Sequence, residues 1–233
     1  MPSPEEIIAK AREEGRKKLL EHEVYAVCAH FGLPVPRHGL ATNEDEAAEI
    51  ADRIGYPVVL KIVSPDITHK SDVGGVVLDV KSANDAREAY RRIMENVRKR
   101  APSARIVGVL VQEMVPWGLE VIVGATRDAT FGPVIMFGLG GIFVEVLKDV
   151  SFRIAPLASE DIETMIREIR SYRILEGYRG EPPRDIDAIK DILKKASDLM
   201  MKLEDVQDLD LNPIMLYEKG KGAKIADARI LLR

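Results

Sequence analysis

Apolar and polar positions along this 233-residue chain change period from one stretch to the next, and the changes mark the elements. Ser3-Pro4-Glu5-Glu6 carries a capping box with Pro at the first helical position, opening a charged helix to about Leu20. A more apolar helix follows from Glu21 to Phe31 and closes at Gly32. Arg37 to Ala41 predicts a short strand. Thr42 is placed to cap a helix, with Asp45 in its first turn, that ends at Gly55. Continuous apolar runs predict strands at Pro57 to Val63 and Val76 to Val80, with the polar loop between them making a hairpin. Ser82 caps a basic-tailed helix to about Arg100, and Arg105 to Val111 returns as a strand. This half therefore predicts β-α-β-β-α-β, a small sheet with helices on one side.

The second half is richer in strands, at Leu119 to Thr126, Pro133 to Gly138 and Ser151 to Ala155, with "GLGG" (Gly138 to Gly141) breaking the chain. Helices are predicted at Ser159 to Tyr172 and Asp185 to Leu203. A final hairpin joins Asp208 to Tyr217 and Lys224 to Leu232 through "EKGKGAK". The predicted class is α+β (α/β), two lobes each with a mostly antiparallel sheet and packed helices. The expected organisation is an N-terminal helix over 1–20, a first lobe over 21–111 and a second over 112–233, meeting near "QEMVP".

Composition narrows the function. At 46% hydrophobic residues the chain is long enough to bury a substantial core. Net charge is −4, signs are interspersed, and no basic stripe carries interleaved aromatics, so nucleic acid is not an expected partner. Apolar runs fall short of a membrane span, and "MPSPEEIIAK" lacks the apolar core of a signal peptide, so a cytoplasmic protein is expected. The single cysteine, Cys28, excludes an internal disulfide framework and reads as a buried, inert thiol on an apolar helix. Charged residues reach 31% while amides are confined to Asn43, Asn84, Asn96, Asn212, Gln112 and Gln207, a composition that suits a thermophile.

Neither a P-loop nor a strand-linked dinucleotide fingerprint is present. Instead Lys61 stands near the end of one predicted strand and Gly74-Gly75 begins the next, with His69 in the loop between. A strand lysine can neutralise phosphate oxygens while glycine-bearing backbone closes over the same anion. A solvated lysine beside an ordinary turn explains that fragment equally well. The C-terminal hairpin adds weight to the first reading. Asp210-Leu211-Asn212-Pro213 and Asp227 lie on strands expected to pair, and a carboxylate facing an amide oxygen makes a half-shell for Mg²⁺. Turn formation is the competing explanation for Asp210 and Asn212. Pro213 fits an edge or a bulge.

The segments "LKIVSPDITHKSDVGGVVLDV", "LVQEMVPWGLEVIVGATRDATFGPVIMFGLGGIFVEVLKDVSFRIAPL", "DLDLNPIML" and "KIADARILL" together resemble the ATP-grasp β subunit of ADP-forming (NDP-forming) acyl-CoA synthetases, relatives of succinyl-CoA synthetase. The resemblance runs from about Glu21 to Arg233. It implies an ATP-grasp fold and assigns Lys61 to the nucleotide phosphates, Glu113 and the backbone at Val115 to the adenine edge, and Glu120 to the ribose. Asn212 and Asp227 match Mg²⁺ ligands, with ATP/ADP as substrate. His69 matches the histidine phosphorylated transiently in this branch. Asp210 falls where succinyl-CoA synthetase relatives carry a glutamate that steadies a phosphohistidine. Arg127 and the "GLGG" loop are further phosphate-side candidates.

The resemblance also implies a missing half. In this family the CoA and acyl-phosphate sites lie on an α subunit or on a longer fused chain, so an α2β2 heterotetramer is expected. His69 would then carry a phosphoryl group between sites, on a loop pivoting at Gly74-Gly75. His22, His30 and His38 read as surface histidines without a catalytic role, and the acids beside His22 point away from it on a helix. Two rival readings remain: a stand-alone ATP-grasp carboxylate ligase, and a nucleotide-sensing regulatory module.

Overall fold

The computed structural model describes residues 2–233 and divides into two compact units. The smaller unit comprises Leu20–Glu23 and Pro36–Met114, and the larger comprises Met1–Leu19, Val24–Val35 and Val115–Arg233. Among the described residues no helix is long and apolar enough to cross a membrane.

In the smaller unit β1 (His38–Ala41), β2 (Val58–Val63), β3 (Val76–Val80) and β4 (Gly108–Glu113) form one antiparallel sheet in the order β1-β4-β2-β3. Two helices, α3 (Glu44–Ile54) and α4 (Ala83–Arg100), complete it. The predicted β-α-β-β-α-β order holds. Side chains alternate across a strand, so Val58, Leu60 and Ile62 enter the core with Ile50 and Ile54 of α3 and Ile93 and Val97 of α4. Lys61, between them, is directed to the other face. The cap of α4 is Ser82, as expected, accepting from Asp85 N at 3.1 Å. For α3 the cap is Asn43, which accepts from Asp45 N and Glu46 N. Thr42 instead donates its N–H and hydroxyl to Glu46 Oε2, at 2.7 and 2.8 Å.

The larger unit is built on a sheet in the order β10-β8-β5-β6-β7, all pairs antiparallel. Its strands are β5 (Leu119–Asp128), β6 (Gly132–Leu139), β7 (Val150–Ile154), β8 (Val206–Leu216), β9 (Ala223–Ile225), which pairs with β8, and β10 (Ala228–Leu232). The helices α5 (Ile142–Glu145), α6 (Ser159–Glu168), α7 (Tyr172–Leu175) and α8 (Ile186–Lys202) follow the chain among them. The apolar stripe of α8, with Ile189, Leu193, Ala196 and Met200 buried, is the 3.6-period face a core-facing helix requires.

Here the domain expectation needs correction. Helix α1 (Pro4–Glu13) ends well before Leu20, and residues 1–19 belong to the larger unit rather than standing alone. The same holds for residues 24–35, although α2 (Glu21–His30) begins in the smaller unit. The physical reason is main-chain pairing with the far end of the chain. Leu19 N donates to Ile230 O at 3.1 Å, Leu232 N to Lys17 O at 2.8 Å and Ile225 N to Pro34 O at 2.9 Å. The Tyr25 hydroxyl adds a bond to Ala226 O at 3.2 Å. Unpaired backbone groups are costly to bury, so this strip follows its hydrogen-bond partners. Cys28 is fully buried, and burial pushes its thiol up to about 12, which leaves it inert as expected.

Two buried polar contacts yield predictions. Ser197 of α8 is fully buried and its Oγ accepts the Leu157 N–H at 3.0 Å. Ser197→Ala strands that buried donor, so a loss of about 1–3 kcal/mol is expected in denaturant unfolding. Lys99→Ala, which breaks only an exposed pair with Glu95, is expected to change stability by less than about 0.5 kcal/mol. The second contact is Glu21, whose carboxylate lies buried against Lys61 Nζ at 2.7 Å and also pairs with Lys70. Burial pushes the Glu21 carboxyl up, but the two ammonium groups outweigh that and hold it at about 2, below its ordinary 4.5. A depressed carboxyl stabilises the fold fully above 4.5 and progressively less as pH falls toward 2. The stability gap between wild type and Glu21→Gln is therefore expected to stay constant from neutral pH down to about 4.5 and then to close. Unfolding curves at stepped pH measure it, and a gap independent of pH down to the acid limit would contradict the assignment.

Candidate functional site

The sequence-predicted residues divide between the units. Lys61, His69 and Glu113 lie in the smaller one, and Val115, Glu120, Arg127, Asp210, Asn212 and Asp227 lie in the larger.

Lys61 sits opposite Val76 on β3 and Leu110 on β4, so neighbours on both sides hold its backbone in the sheet. The loop to β3 is closed by its own main chain: Gly75 N donates to Lys70 O at 2.8 Å, and Gly74 N to Ser71 O at 3.0 Å. Side chains anchor it from outside. Asp66 accepts from Arg105 N at 2.6 Å, Arg100 donates to Asp72 O at 2.9 Å and Asn96 to Gly74 O at 3.2 Å. His69 is exposed at the crest between these anchors. A Cβ on Gly75 would lie 2.4 Å from Ile62 Cγ2 and 3.0 Å from Lys70 O. The glycine is thus required by close packing of the loop base against the core, a tighter role than the pivot expected from sequence.

Glu21 and Lys70 were not among the sequence-predicted residues. Lys70 follows His69, and Glu21 bridges it to Lys61. The available signal was a carboxylate in the first turn of an apolar helix, where the helix dipole favours it. Its partners lie far away in sequence, so the helix pattern could not reveal them. Glu113 also has a local partner: its Oε2 accepts from Arg37 N at 3.1 Å and Arg37 Nε at 3.2 Å.

In the larger unit Asp210 lies on β8 opposite Gly124 of β5 and Arg229 of β10. Burial pushes its carboxyl above the ordinary value, Arg229 Nη2 at 3.6 Å offsets part of this, and Asp208 adds to it. Two residues on, β8 carries an irregularity. Leu211 to Ile214 faces Val123 to Val121, one residue more on the β8 side, and the Asn212–Pro213 bond is cis. This is the bulge that Pro213 allowed, and bulges redirect side chains. Asn212 N donates to Asp227 O at 3.2 Å, so the two residues are neighbours across β8 and the β9–β10 junction, and both are exposed. An amide oxygen and a carboxylate are hard donors suited to Mg²⁺. Among the described residues no group of three or more His, Cys, Asp or Glu could hold a metal ion, so such an ion would take its remaining oxygens from phosphates and water.

Glu120 lies on β5 beside the "GLGG" loop, where Gly140 N donates to Glu120 O at 2.8 Å. A Cβ on Gly140 would approach Glu120 Cβ to 2.8 Å, so this glycine lets the loop pass directly over the acid. Val115 opens the segment leading into β5. Arg127 is a correction. Its Nη2 donates to Met200 O at 2.6 Å and Leu203 O at 3.2 Å, and its Nε to Val206 O at 3.2 Å. The guanidinium closes the carbonyl end of α8, and odd-numbered β5 residues face away from the Gly124–Asp210 side. It is a structural cap, not a phosphate ligand.

A family described as an ATP-grasp domain matches residues 10–232. The subunit beta of acetate–CoA ligase [ADP-forming] I from Pyrococcus furiosus is 52% identical over 227 residues, 97% of each chain. Acetate–CoA ligase [ADP-forming] I from Archaeoglobus fulgidus is 52% identical over 98% of this chain, which spans 33% of that longer protein. Among solved structures, acetyl-coenzyme A synthetase 1 of Ca. Korarchaeum cryptofilum superposes with a TM-score of 0.88 at 48% identity, covering 99% of this chain and 100% of that one. That synthetase was solved with coenzyme A and Mg-AMPPCP, its phosphohistidine segment pointing towards the nucleotide binding site. The chain belongs to the ATP-grasp family, in the branch formed by the beta subunits of ADP-forming acetyl-CoA synthetases.

Proposed function

We propose that the chain is the nucleotide-binding subunit of an ADP-forming acyl-CoA synthetase, acting in the cytoplasm with an α subunit in an α2β2 assembly. The overall reaction is acyl-CoA + ADP + phosphate ⇌ acid + ATP + CoA. The observation that carries this reading is the pairing, on one hairpin, of a nearly buried strand lysine with an exposed histidine on an anchored loop. The full-length relation to beta subunits supports it, because those chains share the same extent.

In the direction of ATP formation, a nitrogen lone pair of neutral His69 attacks phosphorus on an acyl phosphate presented by the α subunit. The P–O bond breaks and the acid leaves as a carboxylate. A β-phosphate oxygen of ADP then attacks phosphorus, the P–N bond breaks, and its electron pair returns to the imidazole. Neutral imidazole is a good nucleophile near pH 7, and its phosphoramidate remains reactive enough to pass the group on. Asp210 keeps a proton on the second ring nitrogen and steadies the cation formed on attack. Lys61 holds the nucleotide phosphates, Glu113 and the backbone at Val115 meet the adenine edge, and Glu120 accepts from the ribose. Asn212 and Asp227 would hold Mg²⁺, which spreads phosphate charge when bound.

Two outcomes follow. In the reconstituted complex given acyl-CoA, phosphate and ADP, His69→Ala is expected to lower ATP formation by roughly 10³-fold or more and to remove acid-labile label from this chain. ATP formation at the wild-type rate would refute the histidine shuttle. Asp227→Asn is expected to raise the Mg²⁺ concentration for half-maximal rate by at least about tenfold, the loss that even outer-shell partners of a metal cause. A metal titration checks it, and an unchanged midpoint would remove Asp227 from the metal site.

A further inference from the structure

The loop between β2 and β3 leaves the core at Ile67 and returns to it at Gly75, both buried. Between them Thr68, His69, Ser71 and Asp72 are exposed. Among the described residues of 68–74, Lys70 is the one side chain that forms an ion pair, and it reaches inward to Glu21 in the first turn of α2. Glu21 is 4% exposed and holds Lys61 of β2 on its other oxygen at 2.7 Å. Lys70 is the outer member of the three, 25% exposed against 13% for Lys61.

This arrangement suits a contact that opens. A buried carboxylate stripped of its cations is strongly destabilised, but Glu21 keeps Lys61 when Lys70 departs. The departing ammonium passes into water, which hydrates it strongly. The other polar ties on the stretch are bonds to main-chain carbonyls, from Arg100 to Asp72 O at 2.9 Å and from Asn96 to Gly74 O at 3.2 Å, and water can replace both donors. Val73 adds a half-buried apolar contact.

We propose that the Glu21–Lys70 pair is a releasable catch on the histidine loop. Closed, it holds the crest beside the strand that carries Lys61; open, it frees His69 to reach the α subunit. The proposal rests on the reading that takes His69 to an acyl phosphate and then to ADP, two positions occupied in turn. A contact made in one position alone shifts the balance between the two by its own free energy and no more. The closed catch favours discharge to ADP beside the phosphate lysine, and the open one favours uptake. Sharing one carboxylate between two mutually repelling ammonium groups keeps the catch weak enough to open.

The ratio of two half-reactions in the complex with the α subunit tests it. Uptake is labelling of His69 from labelled phosphate and acyl-CoA without ADP. Discharge is loss of that label on adding saturating ADP. Glu21→Gln removes the charge that holds Lys70 and leaves the two lysines in repulsion. The ratio of discharge rate to uptake rate is expected to fall about fivefold, the upper end for a partly exposed ion pair. A purely structural role would slow both steps together and leave the ratio unchanged. Amide exchange over residues 68–74 is expected to speed up in the same variant. Lys70→Met opens the catch from the loop side, is expected to lower the ratio likewise, and carries the test if Glu21→Gln does not fold. An unchanged or increased ratio in a folded variant overturns the proposal, and so does amide exchange as slow as in wild type. Wild-type complex that acquires no label on His69 overturns the histidine reading itself, a failure distinct from that of the catch.

Discussion

Antiparallel sheets show alternate residues to opposite faces, and that period of two governs what this chain can do with its charged groups. In the smaller unit Val58, Leu60 and Ile62 are spent on the core beneath α3 and α4. Lys61, one position out of phase, is directed away from that core. In the larger unit Leu209 and Leu211 are buried while Asp208 and Asp210 alternate with them. A one-residue slip in either strand would exchange the two sets, driving a lysine or a carboxylate into an apolar layer at a cost neither unit could carry. Register and chemistry are therefore specified by the same side chains.

Charges brought close to a low-dielectric core need partners, and the two units solve that differently. The smaller unit supplies a buried acid, Glu21, and so keeps two lysines near each other. The larger leaves Asp210 partly compensated: burial raises its carboxyl, and Arg229 at 3.6 Å is too distant for a hydrogen-bonded pair. A group poised in this way is a candidate for chemistry rather than for stability. Arg127 is the opposite case, its guanidinium donating to Met200 O at the end of α8, to Leu203 O just beyond it and to Val206 O at the start of β8.

Elements whose partners are adjacent in sequence could be read from the sequence. Helix α4 has its Ser82 cap and basic tail within one stretch, and both ends fall where the pattern put them. The β2–β3 hairpin and the Asn212–Pro213 irregularity were likewise legible from apolar runs and a proline. What failed depended on distant partners. Residues 14–19 continue the polarity of α1, yet they leave the helix to pair with β10. Thr42 and Asn43 are equally good caps on paper, and Glu46 settles the choice by taking Thr42 for itself. Arg127 sits in a run with phosphate-site character, but strand parity turns it toward α8. Glu21 escaped notice because its lysines lie 40 and 49 positions away.

The distribution of sign carries one more consequence. On the proposed function Lys61 and Lys70 would give the smaller unit its own affinity for phosphate oxygens. The β8–β10 region of the larger unit offers Asp208, Asp210 and Asp227, which repel a nucleotide polyphosphate unless a cation stands between. At an ordinary effective dielectric near ~20, two unit charges 4 Å apart differ by roughly 4 kcal/mol from neutrality, and several such pairs would abolish binding. Arg229 neutralises part of one carboxylate and leaves the rest. On the proposed function the acids of that hairpin would meet a polyphosphate through a divalent ion, and Asn212, a neutral donor beside Asp227, would keep the ligand set from becoming more negative than one such ion can balance.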